Sequence, residues 1–165
     1  GTIEQLNVTP LNKFVFILAK LVPYWIVGLV VLSIGLVLSA VLYGIVPSGS
    51  LWLIYFFSCI YILTMSGFGL IISNYSATMQ QAMFVMFFFL MVFILMSGLF
   101  TPVRSMPDWA QAVTLFNPLK YFIEVMRLVY LKGSRFADMI PQFLALCGFA
   151  AAFGVWAILS YRKSN

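Results

Sequence analysis

Lys120, Glu124 and Arg127 are the ionisable side chains whose spacing most invites a chemical reading. They fall at helical steps of four and three, so on a helix they form one polar stripe. The surrounding stretch from Leu119 to Leu131 is otherwise apolar, and at about 13 residues it is too short to cross a bilayer. A re-entrant or interfacial helix fits that length. One reading makes the stripe the lining of a lateral or outer gate where a substrate leaves the bilayer, since ionisable groups at membrane depth tend to be functional. The other makes it an intrahelical ion-pair row at a headgroup boundary, worth tenths of a kcal/mol per pair.

Other chemistries lack their residues. The chain has no histidine, and no acid or lysine lies within its long apolar runs, so a nucleophile with its base cannot be assembled there. No ring of polar sequence marks a selectivity filter. No G-x-x-x-x-G-K-[ST] loop occurs, so the chain has no phosphate-binding motif and no ATPase of its own. Cys59 and Cys147 stand in separate apolar runs without partner spacing and read as packing groups; no metal site is expected. The nine Lys and Arg are scattered singly, which gives nucleic-acid binding no support.

The elements that must position the stripe are membrane spans. With 64% hydrophobic and 8% charged residues the chain lies outside the range of soluble domains. Continuously apolar runs in hydrocarbon must become helices, because each backbone N–H and C=O needs a partner. Four runs are long enough: residues 21–43, 51–73, 82–100 and 140–161. The fold class is therefore an all-α, polytopic helical bundle of four spans in a transmembrane domain of residues 21–165. Residues 44–50, with Pro47, Ser48 and Gly49, turn the first two spans into an antiparallel hairpin. Residues 74–81 form a short polar link, and the long connection 101–135 carries most of the charge. In it, Pro102 and Pro107 break the preceding span, Asp108 favours a helix start and Trp109 suits the interface.

Ahead of the first span, Thr9 and Pro10 read as an N-cap with proline at the first helical position. A surface-lying helix is expected there within residues 1–20, with Lys20 among headgroups and a bend at Pro23. The chain opens at Gly1 with no visible signal peptide, which reads as a piece of a longer protein. Ser66, Gly67 and Gly69, Gly28 with Gly35, and Gly148 with Ala152 could let helices approach closely. The Phe and Met residues from Met83 to Met96 read as lipid contact rather than as a substrate path.

Several ordered strings resemble the type-2 ABC transporter (ABC-2) permeases. Residues 1–11 (GTIEQLNVTPL) resemble their cytoplasmic coupling segment, residues 69–81 (GLIISNYSATMQQ) their short cytoplasmic link, and residues 97–109 (SGLFTPVRSMPDW) their S-G-x-x-x-P-x-x-x-M-P-x-W pattern. Asn117, Pro118, Tyr121 and Arg127 match their N-P-x-x-Y…R stretch. The resemblance implies the C-terminal part of the transmembrane subunit of an ATP-driven exporter, working by alternating access in a bacterial inner membrane. Both termini would then be cytoplasmic, although the raw Lys and Arg count favours the side of the long connection. It also implies a separate ATP-binding-cassette ATPase carrying ATP and Mg, and a second permease copy or half. Thr2, Glu4, Leu6, Thr9 and Pro10 would couple to the ATPase. Pro102, Pro107, Trp109, Asn117, Pro118, Lys120, Tyr121, Glu124 and Arg127 would build the outer re-entrant gate. A non-transporting membrane scaffold is the alternative function.

Overall fold

The structure, a computed structural model, describes residues 10–163. Helix α1 spans Pro10–Tyr43, α2 Leu51–Tyr75 and α3 Met79–Leu95. The long connection folds as a 3-10 turn at Val103–Ser105, helix α4 at Asp108–Thr114, helix α5 at Pro118–Arg127, and a π-helical turn at Leu128–Lys132. A further 3-10 turn, Phe136–Met139, leads into α6 at Ile140–Lys163. Among the described residues there is no strand, as expected for an all-α bundle.

Three helices are long and apolar enough to cross a membrane, within Leu18–Tyr43, Leu51–Tyr75 and Phe136–Tyr161. The third apolar run behaves differently from the expected span at 82–100. Its helix begins earlier, at Met79, and stops at Leu95, so its 17 residues sit at the short end of spanning lengths. Ser97 helps end it, since its hydroxyl donates to Ile94 O at 2.8 Å, and Gly98 then takes φ +89°. Helix α1 also departs from expectation. It runs from Pro10 to Tyr43 with Pro23 inside it, so residues 10–20 and the span that follows share one helix. A long apolar helix tolerates one lost backbone bond when its neighbours continue the ladder.

Local sequence sets the ends. Gly44 at φ +66° closes α1, with Ile45 N donating to Ser39 O at 3.1 Å and so satisfying a terminal carbonyl. Ser50 caps α2 by accepting from Trp52 N, and Thr78 caps α3 by accepting from Gln81 N.

The bundle is tightest at one end. Ile54 and Phe57 of α2, Val125 of α5, Val129 of the π turn, and Met139 and Leu146 around the start of α6 form a fully buried cluster. Phe56, Phe136 and Phe143 pack beside it, ring centroids 5.1–6.2 Å apart. Two of the small-residue sites expected to permit close approach do so. A Cβ on Gly67 would lie 3.3 Å from Phe153, and one on Gly28 would lie 2.7 Å from Ile62 Cδ1. Gly35 and Gly148 face open space.

A backbone stitch completes this end. Gly49 N donates to Val129 O at 2.9 Å and Ser48 N to Tyr130 O at 3.3 Å, so the 44–50 link satisfies carbonyls that the π turn leaves free. Gly133, at φ +60°, passes so close to this link that a Cβ there would lie 3.2 Å from Ser48 O. Gly133→Val should therefore lower the midpoint of detergent thermal unfolding, by strain on the order of 1–2 kcal/mol in the left-handed region plus the clash. Gly35→Ala, in open helical space, should leave it unchanged or raised; equal melting of both variants would refute the stitch.

Candidate outer-gate site

Residues of the long connection assemble against the ends of α2, α3 and α6. Pro102 precedes the first 3-10 turn, and Pro107 precedes α4 with Asp108 in its first turn, so both prolines stand where a chain re-enters a helix. Trp109 is largely exposed on α4, as an interfacial tryptophan would be. The amide of Gln111 donates to Met106 O at 2.9 Å and pins the turn between them. Pro118 is buried at the first position of α5.

Asn117 is the pivot. It is 3% exposed; its Oδ1 accepts from Leu119 N at 3.0 Å, capping α5, while its Nδ2 donates to Phe93 O at 2.8 Å. Phe93 lies in the last turn of α3, where carbonyls lose their intrahelical donors. One side chain thus starts one helix and finishes another.

Arg127, at the other end of α5, donates from Nη2 to Gly98 O at 2.6 Å, just beyond the end of α3. A guanidinium on a carbonyl is a charge-assisted bond, stronger than a neutral one. Lys120 and Glu124 turn elsewhere: their charged groups are 3.7 Å apart, and Gln142 Nε2 of α6 donates to Glu124 Oε2 at 2.9 Å. The Lys120 ammonium also lies 4.9 Å from the Tyr121 ring centroid. The stripe is therefore divided, with Arg127 serving α3 and the Lys120–Glu124 pair facing α6. Tyr121 O–H donates to Leu115 O at 2.9 Å. Burial, and then the Glu124 carboxylate, push that phenol up from its ordinary value, which keeps the proton this bond needs.

Gln142, Gly98 and the Ser48–Gly49 backbone were not singled out in the sequence as site residues. Gln142 carries the plainest signal, a polar residue one turn into an apolar run. Its Oε1 is buried and has no hydrogen-bond partner among the described residues. The carboxylate fixes this orientation, because a reversed amide would set oxygen against oxygen. Thr2, Glu4, Leu6 and Thr9 lie outside the described residues, and Pro10 opens α1.

At the opposite end, Asn74 donates to Ala157 O at 3.1 Å and to Ser160 Oγ at 2.8 Å, tying the end of α2 to α6. Gln81 Oε1 accepts from Ala77 N at 2.9 Å and stiffens the polar link before α3.

A bundle of apolar helices, three of them long enough to cross a membrane, with a connection that folds back as a polar-tethered helix pair, has the architecture of a multi-pass membrane protein. The chain belongs to the ABC-2 type transporter family, whose model matches residues 1–131. A probable multidrug ABC transporter permease of Escherichia coli (strain K12), YbhR, is 37% identical over 163 residues, covering 99% of this chain and 44% of the relative. The inner membrane transport permease YhhJ of the same strain is 31% identical over 169 residues, with the same shares covered. A probable multidrug ABC transporter permease, YbhS, also of that strain, is 29% identical over 157 residues, covering 93% of this chain and 41% of the relative. The chain spans less than half the length of these relatives. No solved structure matches it significantly.

Replacing Asn117 separates its two tasks. Asn117→Ser keeps an N-cap oxygen but is too short to bond Phe93 O, whereas Asn117→Ala loses both bonds. Thermal unfolding of the purified protein should rank wild type above Ser and Ser above Ala, with each lost bond costing about 1 kcal/mol. Equal stability of Ser and wild type would show that the tether to α3 contributes nothing.

Proposed function

We propose that this chain is the membrane half of an export permease, driven by separate ATP-binding subunits that carry ATP and Mg, and paired with a second permease copy or half. It moves amphipathic substrates from the cytoplasm or inner leaflet of a bacterial inner membrane, with both termini cytoplasmic. Its family membership and relatives described as multidrug and inner membrane permeases support this reading.

The observation that carries the mechanism is the double tether of α5 to the end of α3 through Asn117 and Arg127. Nucleotide-driven closure of the ATPase pushes on residues 1–10, with Thr2, Glu4, Leu6, Thr9 and Pro10 as the contact. Helix α1 is continuous from Pro10 to Tyr43, so its 34 residues act as a lever about 50 Å long. Its far end continues into the 44–50 link, which is bonded to the π turn after α5. Arg127 then passes the displacement to Gly98. A push at the inner end thereby shifts the outer helix pair between two packed arrangements, the usual form of such a transition. Glu124, partly exposed and held by the Gln142 amide, is the acceptor offered to a substrate at this end.

The test uses the full-length permease with its ATPase in proteoliposomes. Arg127→Gln should leave ATPase co-purification intact and lower substrate efflux at least about tenfold, the scale of one charge-assisted bond. Glu4→Ala should instead weaken ATPase association. Unchanged efflux in both Arg127→Gln and charge-reversed Glu124 would sink the gate. ATPase binding without substrate-stimulated turnover in the wild type would favour a scaffold.

A further inference from the structure

Helices α1 and α2 are in contact along part of their length, and a groove lies between them on the side of the chain termini. They meet where Trp25 Nε1 donates to Cys59 O at 3.2 Å, where Ser33 Oγ and Tyr55 Oη lie 2.6 Å apart, and where Gly28 abuts Ile62. Below that contact Ser66, Gly69 and Ser73 follow one another on a single face of α2, and their small size recesses the wall. Opposite them Phe16, Lys20 and Tyr24 stand one turn apart on α1. Between the two faces lies a groove of about 510 Å3, with Tyr161 of α6 also lining it. That volume is within the range of small-molecule sites.

Three features define what fits. The walls are largely apolar. Among the described lining residues the charged group is the Lys20 ammonium, held 4.6 Å from the Phe16 ring centroid near the terminal end, and none of them carries a carboxylate. From Ser73 to Ile62 the wall rises about 16 Å at 1.5 Å per residue, close to half of the roughly 30 Å hydrocarbon core. The groove thus starts at headgroup level beside a cation and ends near the bilayer midplane.

We infer that this groove is a site for an anionic phospholipid of the leaflet on the terminal side. Its phosphate sits on Lys20 and one acyl chain lies along Ser66 and Gly69 as far as Ile62. Basic positions between transmembrane helices hold anionic headgroups in this way. The site lies at the opposite end of the bundle from the outer helix pair and does not depend on the transport reading. Its consequence is mechanical: a chain wedged between α1 and α2 sets how far the lever can close on its neighbour.

The experiment takes the full-length protein, delipidated in detergent, and measures retention of phosphatidylglycerol against phosphatidylcholine by native mass spectrometry. Wild type should prefer phosphatidylglycerol about fivefold, the contribution of one cation near an anionic surface. Lys20→Gln should abolish the preference, while Lys132→Gln, which removes an equal charge at the other end of the bundle, should keep it. A phosphatidylglycerol with a photoreactive group near its acyl terminus should label peptides containing Ile62 or Tyr24. Equal retention of both lipids by wild type, or a preference that survives Lys20→Gln, would overturn the site. Labelling confined to other segments would do the same, and would mean that protein fills the groove in the longer chain.

Discussion

Backbone groups inside a bilayer have no water to turn to, and the early end of α3 makes that constraint acute. The helix stops at Leu95, leaving the carbonyls of its last turn without the donors a longer helix would supply. Those of Val92, Phe93 and Ile94 are met locally. Met96 N reaches Val92 O at 3.0 Å, Ser97 Oγ reaches Ile94 O, Asn117 takes Phe93 O and Arg127 takes Gly98 O beyond. Two of those donors belong to α5, so α3 can end where it does only with α5 in place. The position of α5 in turn brings Val125 and Val129 into the buried cluster and leaves π-turn carbonyls for Ser48 and Gly49. This end of the bundle is consequently one mutually bonded unit built from four separate stretches of chain.

The end that holds the termini is tied differently. Asn74 fastens α2 to α6, and a groove opens between α1 and α2 beside Lys20. In lipid there is no hydrophobic force to close such a gap, because acyl chains solvate apolar helices as well as other helices do. Hydrogen bonds and close packing decide which helices travel together. The bundle thus has one end stitched by the long connection and a terminal end where a groove opens between α1 and α2.

Much of the architecture was legible beforehand because hydropathy reads bilayer thickness directly. The runs at 51–73 and 140–161 became α2 and α6 with shifts of a few residues. The run at 82–100 misled because Met96, Leu99 and Phe100 are as apolar as the helix before them, and hydropathy does not register that Ser97 and Gly98 can end it. Pro23, the position of the expected bend, lies inside one continuous helix rather than at a helix boundary. The charged residues of α5 were visible, yet their partners were not, since a side chain's choice between a carbonyl and a carboxylate depends on which helix end lies opposite. Asn74 belonged to a link valued for its likeness to a family pattern, and its two bonds across α6 emerge only in three dimensions.

The stripe on α5 illustrates why spacing alone left two readings open. Helical periodicity placed Lys120, Glu124 and Arg127 on one side, and a gate and an ion-pair row make the same demand on spacing. Geometry separates them residue by residue. Lys120 and Glu124 form a partly exposed pair at 3.7 Å, the weak kind, with the Gln142 amide as a further partner. Arg127 spends its donor on a carbonyl of the chain just past α3, where a guanidinium's several fixed N–H groups suit an unpaired backbone better than an ammonium's point charge. A positively charged residue that ends its own helix and bonds the stretch beyond another couples the two: separating them breaks a charge-assisted bond to the buried Gly98, while the exposed guanidinium keeps its other donors for solvent.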